Sequence, residues 1–166
     1  NGEAALNARN IAASLGCSTQ PVFSNFSTME EVKAAVIAAA DKLYQSYQCK
    51  EMGSGDFPPY KASGIAYIRF AREEKELFKL LFMRDRTGEK ISNNSEEIDS
   101  LIHMIKRNTG LSKEEAYLFH LEMWMYVHGI ATMIATAYLE WDWNMISRML
   151  TDAYQGMLKR YTYKED

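Results

Sequence analysis

The sequence predicts an all-α fold, and three observations carry that prediction. Only three prolines interrupt the 166 residues, so few positions remove a backbone donor from a helix. Apolar residues recur at three- and four-residue steps through most of the chain, the spacing that lines one helix face. No stretch alternates apolar and polar residues as a half-buried strand requires. With 47% hydrophobic and 25% charged side chains, the chain is long enough to bury a core and too apolar to stay disordered. Ten Met and ten Tyr point to a soft, adaptable interior.

Residues 7 to 26 read as two short helices joined by a tight turn. Ala8, Ile11, Ala12 and Leu15 form one apolar row, and Asn7 is placed to cap it through its side-chain oxygen. Gly16 stands where that helix must turn left-handed. Ser18 is the expected second cap, and Pro21 lies in the first turn after it, where a missing N–H costs nothing. Val22 and Phe26, four apart, give the second helix its buried stripe. Two helices in this relation make a helix-turn-helix. A third helix opens at Ser27 or Thr28, which form capping-box patterns with Glu30 and Glu31. Its row Met29, Val32, Val36, Ala40, Leu43, Tyr47 carries it to about Lys50.

Met52–Pro59, with Gly53, Gly55, Pro58 and Pro59, is the clear break in the chain. The organisational boundary is nevertheless expected at the long third helix, which would serve both halves: 1–50 a head with its connecting helix, 51–166 a helical body. Beyond Pro59 the spacing resumes through Ile65, Ile68 and Ala71, then Leu77, Leu81 and Phe82, with a bend expected in the charged Arg72–Glu76 cluster. Arg84–Ser95 reads as a polar loop. Ile98, Leu101, Ile102 and Ile105 mark the next helix, stopped near Gly110. Ser112 and Glu115 cap a long, nearly apolar helix reaching about Tyr138. Asp142 caps a last one with the row Trp143, Ile146, Leu150, Ala153, Met157, Tyr161. Met123–Leu139 carries no formal charge, yet His128, Gly129, Thr132 and Thr136 favour a buried helix over a membrane span, so no membrane partner is expected.

The segment from Ala4 to Val32, AALNARNIAASLGCSTQPVFSNFSTMEEV, resembles the DNA-binding segment of the tetracycline-repressor family of bacterial regulators. The matching elements are Asn7-Ala8-Arg9 before Ile11-Ala12, the Leu15-Gly16-Cys17-Ser18 turn, Phe23-Ser24-Asn25-Phe26, and Met29-Glu30-Glu31-Val32. The resemblance implies a homodimer with a small DNA-binding head and a divergent helical body that receives an effector and pairs with its partner. Ligand binding would then spread the heads and release a palindromic double-stranded DNA operator. It also implies that the family's first helix, with its basic arm, precedes Asn1, so the head as written lacks its first helix. The expected fold is therefore an all-α chain: an N-terminal helix-turn-helix head, first helix missing, joined to a helical ligand-binding and dimerisation body.

A recognition helix enters the major groove with short polar side chains at its front. Ser18, Thr19, Gln20, Ser24 and Asn25 are the outward candidates, and the amide of Gln20 can be bidentate to adenine. Asn7 and the N–H groups after it offer a helix terminus to a phosphate, and Arg9 can reach another. Ala8, Pro21 and Lys33 complete the expected DNA face. Two features depart from the pattern. The family often has Tyr and His where this chain has Phe23 and Asn25, and Lys where it has Met29. Residues 1–50 also hold four basic and four acidic groups, where a DNA-binding head normally offers a positive surface.

In the body, Tyr67, Phe70, Phe78, Phe82, Met83, Met104, Phe119, Met123, Trp124 and Tyr126 lie on helices expected to surround a pocket for an apolar or aromatic effector. His103, His120 and His128 are candidates for its polar contacts, but no two share metal-ligand spacing. The last two helices are the expected dimer interface: Gly129, Met133, Tyr138, Trp143, Ile146, Leu150, Tyr154, Met157 and Tyr161, with Ala131, Ala135 and Ala137 allowing close approach. Cys17 and Cys49 fit neither a metal site nor a disulfide framework, so a reducing, cytoplasmic setting is expected. No phosphate-cradling glycine loop or Glu-x-x-His pair points to an enzyme, and no cofactor or metal is expected. The reading is a DNA-binding regulator, a repressor released by a small effector. The alternative is a helical small-molecule-binding or interaction protein that no longer reads DNA.

Overall fold

The computed structural model describes residues 5–85, 87 and 95–162, which form eight α-helices and no strand. Helix α1 (Ala8–Leu15) is capped as expected, the Asn10 N–H donating to Asn7 Oδ1 at 3.0 Å. Gly16 ends it at φ +65°, where a side chain would be strained. Helix α2 (Gln20–Asn25) follows without the expected Ser18 cap. Thr19 immediately precedes it in a helical conformation, and no side chain caps it. Pro21 lies in its first turn, so one of the donors a cap would serve is absent.

Helix α3 (Met29–Ser54) opens on a reciprocal pair of bonds. The Glu31 N–H donates to Thr28 Oγ1 at 3.2 Å, and the Ser27 N–H donates to Glu31 Oε2 at 2.7 Å. It runs past Lys50 because the stop is Gly55, at φ +77°. Helix α4 (Pro59–Glu73) and helix α5 (Lys75–Phe82) are separated by Glu74, whose ψ of 52° breaks the helix within the predicted charged cluster. The predicted loop 84–95 lies largely outside the described residues. Helix α6 (Ser95–Thr109) stops at Gly110, φ +75°. Helix α7 (Lys113–Ala135) carries the Ser112–Glu115 capping box and ends three residues short of Tyr138. Helix α8 (Trp143–Thr162) starts where the Met145 N–H donates to Asp142 Oδ1 at 2.8 Å.

Helix α4 is the hub of the body, packing against α3, α5, α6, α7 and α8. Its buried residues Ala62, Ile65, Ala66, Tyr67, Ile68, Phe70 and Ala71 nearly encircle it, the signature of a helix surrounded by others. One apolar cluster joins α4, α5, the second half of α7 and the start of α8 around Phe70, Phe78 and Ile146. A second joins α6, the first half of α7 and the end of α8 around Phe119 and Ile105. Each fully buried large side chain of this kind contributes about 1.5–3 kcal/mol. No helix among the described residues is long and apolar enough to cross a membrane.

Candidate functional site

A cavity of about 1200 Å³ is walled by all six helices from α3 to α8, with a lining drawn from both apolar clusters. Helix α3 contributes Ala34, Ile37, Ala38, Asp41 and Tyr44; α4 contributes Tyr60, Lys61, Ser63, Gly64 and Tyr67. The remaining wall includes Phe82, Leu101, His120, Met123, Trp124, Thr151 and Tyr154. An apolar lining with a few convergent polar groups is the usual design of a small-molecule site.

Its polar groups are set by contacts between helices. Tyr60 Oη and His120 Nδ1 share a hydrogen bond of 3.1 Å. Burial raises the tyrosine pKa and lowers that of the imidazole, so both are neutral at pH 7. Behind the wall, Tyr67 Oη and His128 Nδ1 form a second such rung between α4 and α7 at 2.8 Å, with Trp124 stacked on His128 at 5.1 Å. Lys61 Nζ donates to Thr151 Oγ1 at 2.8 Å, bridging α4 and α8.

Of the predicted pocket residues, Tyr67, Phe82, Met123 and Trp124 line this cavity. Phe70, Phe78 and Phe119 do not; each is completely buried in the core, where helix-to-helix packing consumes its whole surface. Met83 and His103 are exposed, the first just past the end of α5 and the second on the outer side of α6. Met104 and Tyr126 are partly buried but not on this wall, and His128 sits behind it. Among the three histidines it is His120 that reaches the lining. The contributions of α3, of Lys61 and of Thr151 escaped the sequence reading. For Lys61 and Thr151 the advance signal was a polar residue beside apolar ones, which solvent-facing positions share.

A polar and aromatic cluster ties α3 to the body. Glu51, 7% exposed, pairs with Arg69 Nε at 2.6 Å. Arg69 and Arg72 lie over the Trp143 ring at 4.5 and 4.4 Å, and Arg72 also donates to the Trp141 carbonyl. Tyr47 Oη donates to Glu73 Oε2 at 2.8 Å, and burial together with that carboxylate pushes its pKa up to about 12. One cluster thus connects α3, α4 and the start of α8.

In the head, Asn7, Arg9, Ser18, Thr19, Gln20, Pro21, Ser24 and Asn25 are exposed, while Ala8 and Lys33 are partly buried. Val22 is buried, as its stripe position required. Asn25 Nδ2 donates to the Pro21 carbonyl at 2.8 Å and the Ser24 hydroxyl to the same carbonyl at 3.1 Å, so both are turned back onto α2.

The fold divides the predicted dimer row, and its Ile146 and Leu150 are not available to a partner. Ile146 and Leu150 are buried in the chain's own core, Trp143 is held by Arg69 and Arg72, and Tyr154, Met157 and Tyr161 pack on the second apolar cluster. Ala131 and Ala135 are buried likewise. Ile146 and Leu150 turn inward because α4 and α7 cover them, while Trp143, Tyr154, Met157 and Tyr161 remain half-buried. The outward face of α7 carries exposed Leu118, Met125 and Met133, with half-buried Gly129 between the last two. Tyr138, Leu139 and Met145 extend the exposed apolar surface onto the following turn and α8.

Residues 60–156, more than half of the chain, match a family model described as tetracyclin repressor-like, C-terminal domain. No curated protein and no solved structure matches the chain.

Proposed function

This chain belongs to the tetracyclin repressor-like family, and from that premise we propose that it is a transcriptional repressor released from a palindromic operator by a small, largely apolar effector. The observation that carries the proposal is the course of α3. Three residues separate the helix from α2, and its Ala34, Ile37, Ala38, Asp41 and Tyr44 wall the cavity. A rigid helix with one end at the helix-turn-helix and its middle on a ligand site couples the two. An occupant that fits one tilt of α3 better than another shifts the population of head positions by that difference in affinity.

In this reading residues 1–50 act as the DNA-binding unit and 51–166 as the effector and dimerisation unit, with α3 shared between them. The DNA face is Gln20 with Ser18, Thr19, Ser24 and Asn25, supported by Asn7, Ala8, Arg9, Pro21 and Lys33. Two copies pair through the outward stripe Leu118–Met125–Gly129–Met133 with Tyr138, setting two heads for two half-sites. The regulator acts in the cytoplasm, and the mechanism requires neither a catalytic residue nor a cofactor.

The test is a mobility-shift assay with palindromic fragments from upstream of its own coding region. We expect retardation, its weakening in Gln20→Ala and Arg9→Ala, and release by a cell extract containing the effector. Absence of retardation on every fragment, with and without extract, overturns the regulator reading. The balanced charge of the head and the Asn25 amide already bonded to the Pro21 carbonyl would then favour a helical ligand-binding protein that does not read DNA.

A further inference from the structure

The effector cavity contains a cation without a matching anion. Lys61 lines it, and its ammonium donates to Thr151 Oγ1 at 2.8 Å and lies 5.1 Å from the Phe57 ring centroid. Thr151 is an anchor and not a counter-charge, because its own hydroxyl proton goes to the Ser147 carbonyl at 3.0 Å. No carboxylate pairs with Lys61 among the described residues. Two of the three ammonium protons are therefore left for another acceptor. Partial burial draws the lysine pKa below its ordinary value.

The other charges on the lining do not supply the missing anion. Asp41, on α3, accepts from Gln45 Nε2 at 3.0 Å, and Arg84 donates to the carbonyls of Leu80 and Leu81 at 2.9 and 3.0 Å. Among the described residues of the lining, Asp41 is the one carboxylate, and it does not reach Lys61. Around them the wall is aromatic, with Tyr44, Tyr67, Phe82 and Trp124 facing one space. We propose that the effector is an aromatic anion, its ring system held by those side chains and its acidic group paired with Lys61 where α4 meets α8. This deepens the effector reading above and rests on it. A charge-assisted bond to an ammonium that is already positioned adds directional recognition to an otherwise permissive apolar cavity.

Two fluorescent probes of similar ring structure test it: anilinonaphthalene sulfonate, an anion, and phenylnaphthylamine, its neutral counterpart. Both are titrated into the full chain and its variants, with folding checked by circular dichroism. We expect Lys61→Met to weaken the sulfonate about tenfold while changing the neutral probe by less than about twofold. Lys61→Arg should retain sulfonate binding, and Lys61→Gln repeats the test if the methionine variant does not fold. Leu121→Trp, which fills the cavity from a partly exposed position on α7, should displace both probes. If Lys61→Met or Lys61→Gln weakens both probes equally, or neither, the anion proposal is wrong while the cavity stands. If neither probe binds, or Leu121→Trp leaves both bound, the effector cavity itself is wrong and the anion proposal goes with it.

Discussion

Two histidines on α7, each bonded to a tyrosine hydroxyl of α4, make stability depend on pH at the level of single residues. Burial lowers both imidazole pKa values below the ordinary 6.5. The unfolded chain therefore takes up protons before the folded chain does, and stability falls as pH drops through 6.5 and below. Thermal melts should show Tm declining from about pH 7 to about pH 5, with a flatter profile in a His120→Gln, His128→Gln double variant. An unchanged slope would place the sensitivity elsewhere. Glu51 makes a second residue-scale case. Its carboxylate is buried against the Arg69 guanidinium, and Arg69 is partly exposed with Glu73 as a distant second partner at 3.7 Å. Glu51→Ala should cost about 2 kcal/mol in denaturant unfolding, less than a wholly buried pair would.

At the scale of elements, the ends of α7 differ in quality. Its start has both bonds of the capping box, and Ser112→Ala should lower stability by about 1 kcal/mol. Its end closes with the Ala137 N–H on the Ile134 carbonyl and the Tyr138 N–H on the Met133 carbonyl, a pattern that requires a left-handed residue. Ala137 occupies that position at φ +56°, against the preference of any residue with a Cβ. Ala137→Gly should therefore stabilise the protein by about 0.5–1 kcal/mol, read as a higher Tm. A lower Tm would mean that glycine's freedom in the unfolded chain outweighs the relieved strain.

For the whole molecule, the exposed apolar stripe of α7 is the face proposed above for pairing of two copies. A charge at its centre, Met125→Asp, should leave the circular dichroism spectrum unchanged and halve the sedimenting mass, with loss of operator retardation. A variant that stays dimeric would move the interface off this face. The same stripe shows how far the sequence could be read. Helix order, most caps and the glycine stops were legible because each depends on a few neighbouring residues. The apolar row of α8 was legible as a buried face, but its partner was not, since α4 of the same chain and a second copy would cover it equally well.

What the sequence determined by itself is therefore local: an all-helical chain, a helix-turn-helix at its start, and most residues of each apolar row that avoid water, with Leu15 and Leu43 left exposed. Only the tertiary structure decided which of those residues share a space. Phe78 and Phe82 stand one turn apart on α5, yet the first is wholly buried and the second lines the cavity. Lys61 and Thr151 are ninety residues apart, and no periodicity in either segment announces their contact. Spacing along a helix selects a face. The docking of six helices selects what that face meets.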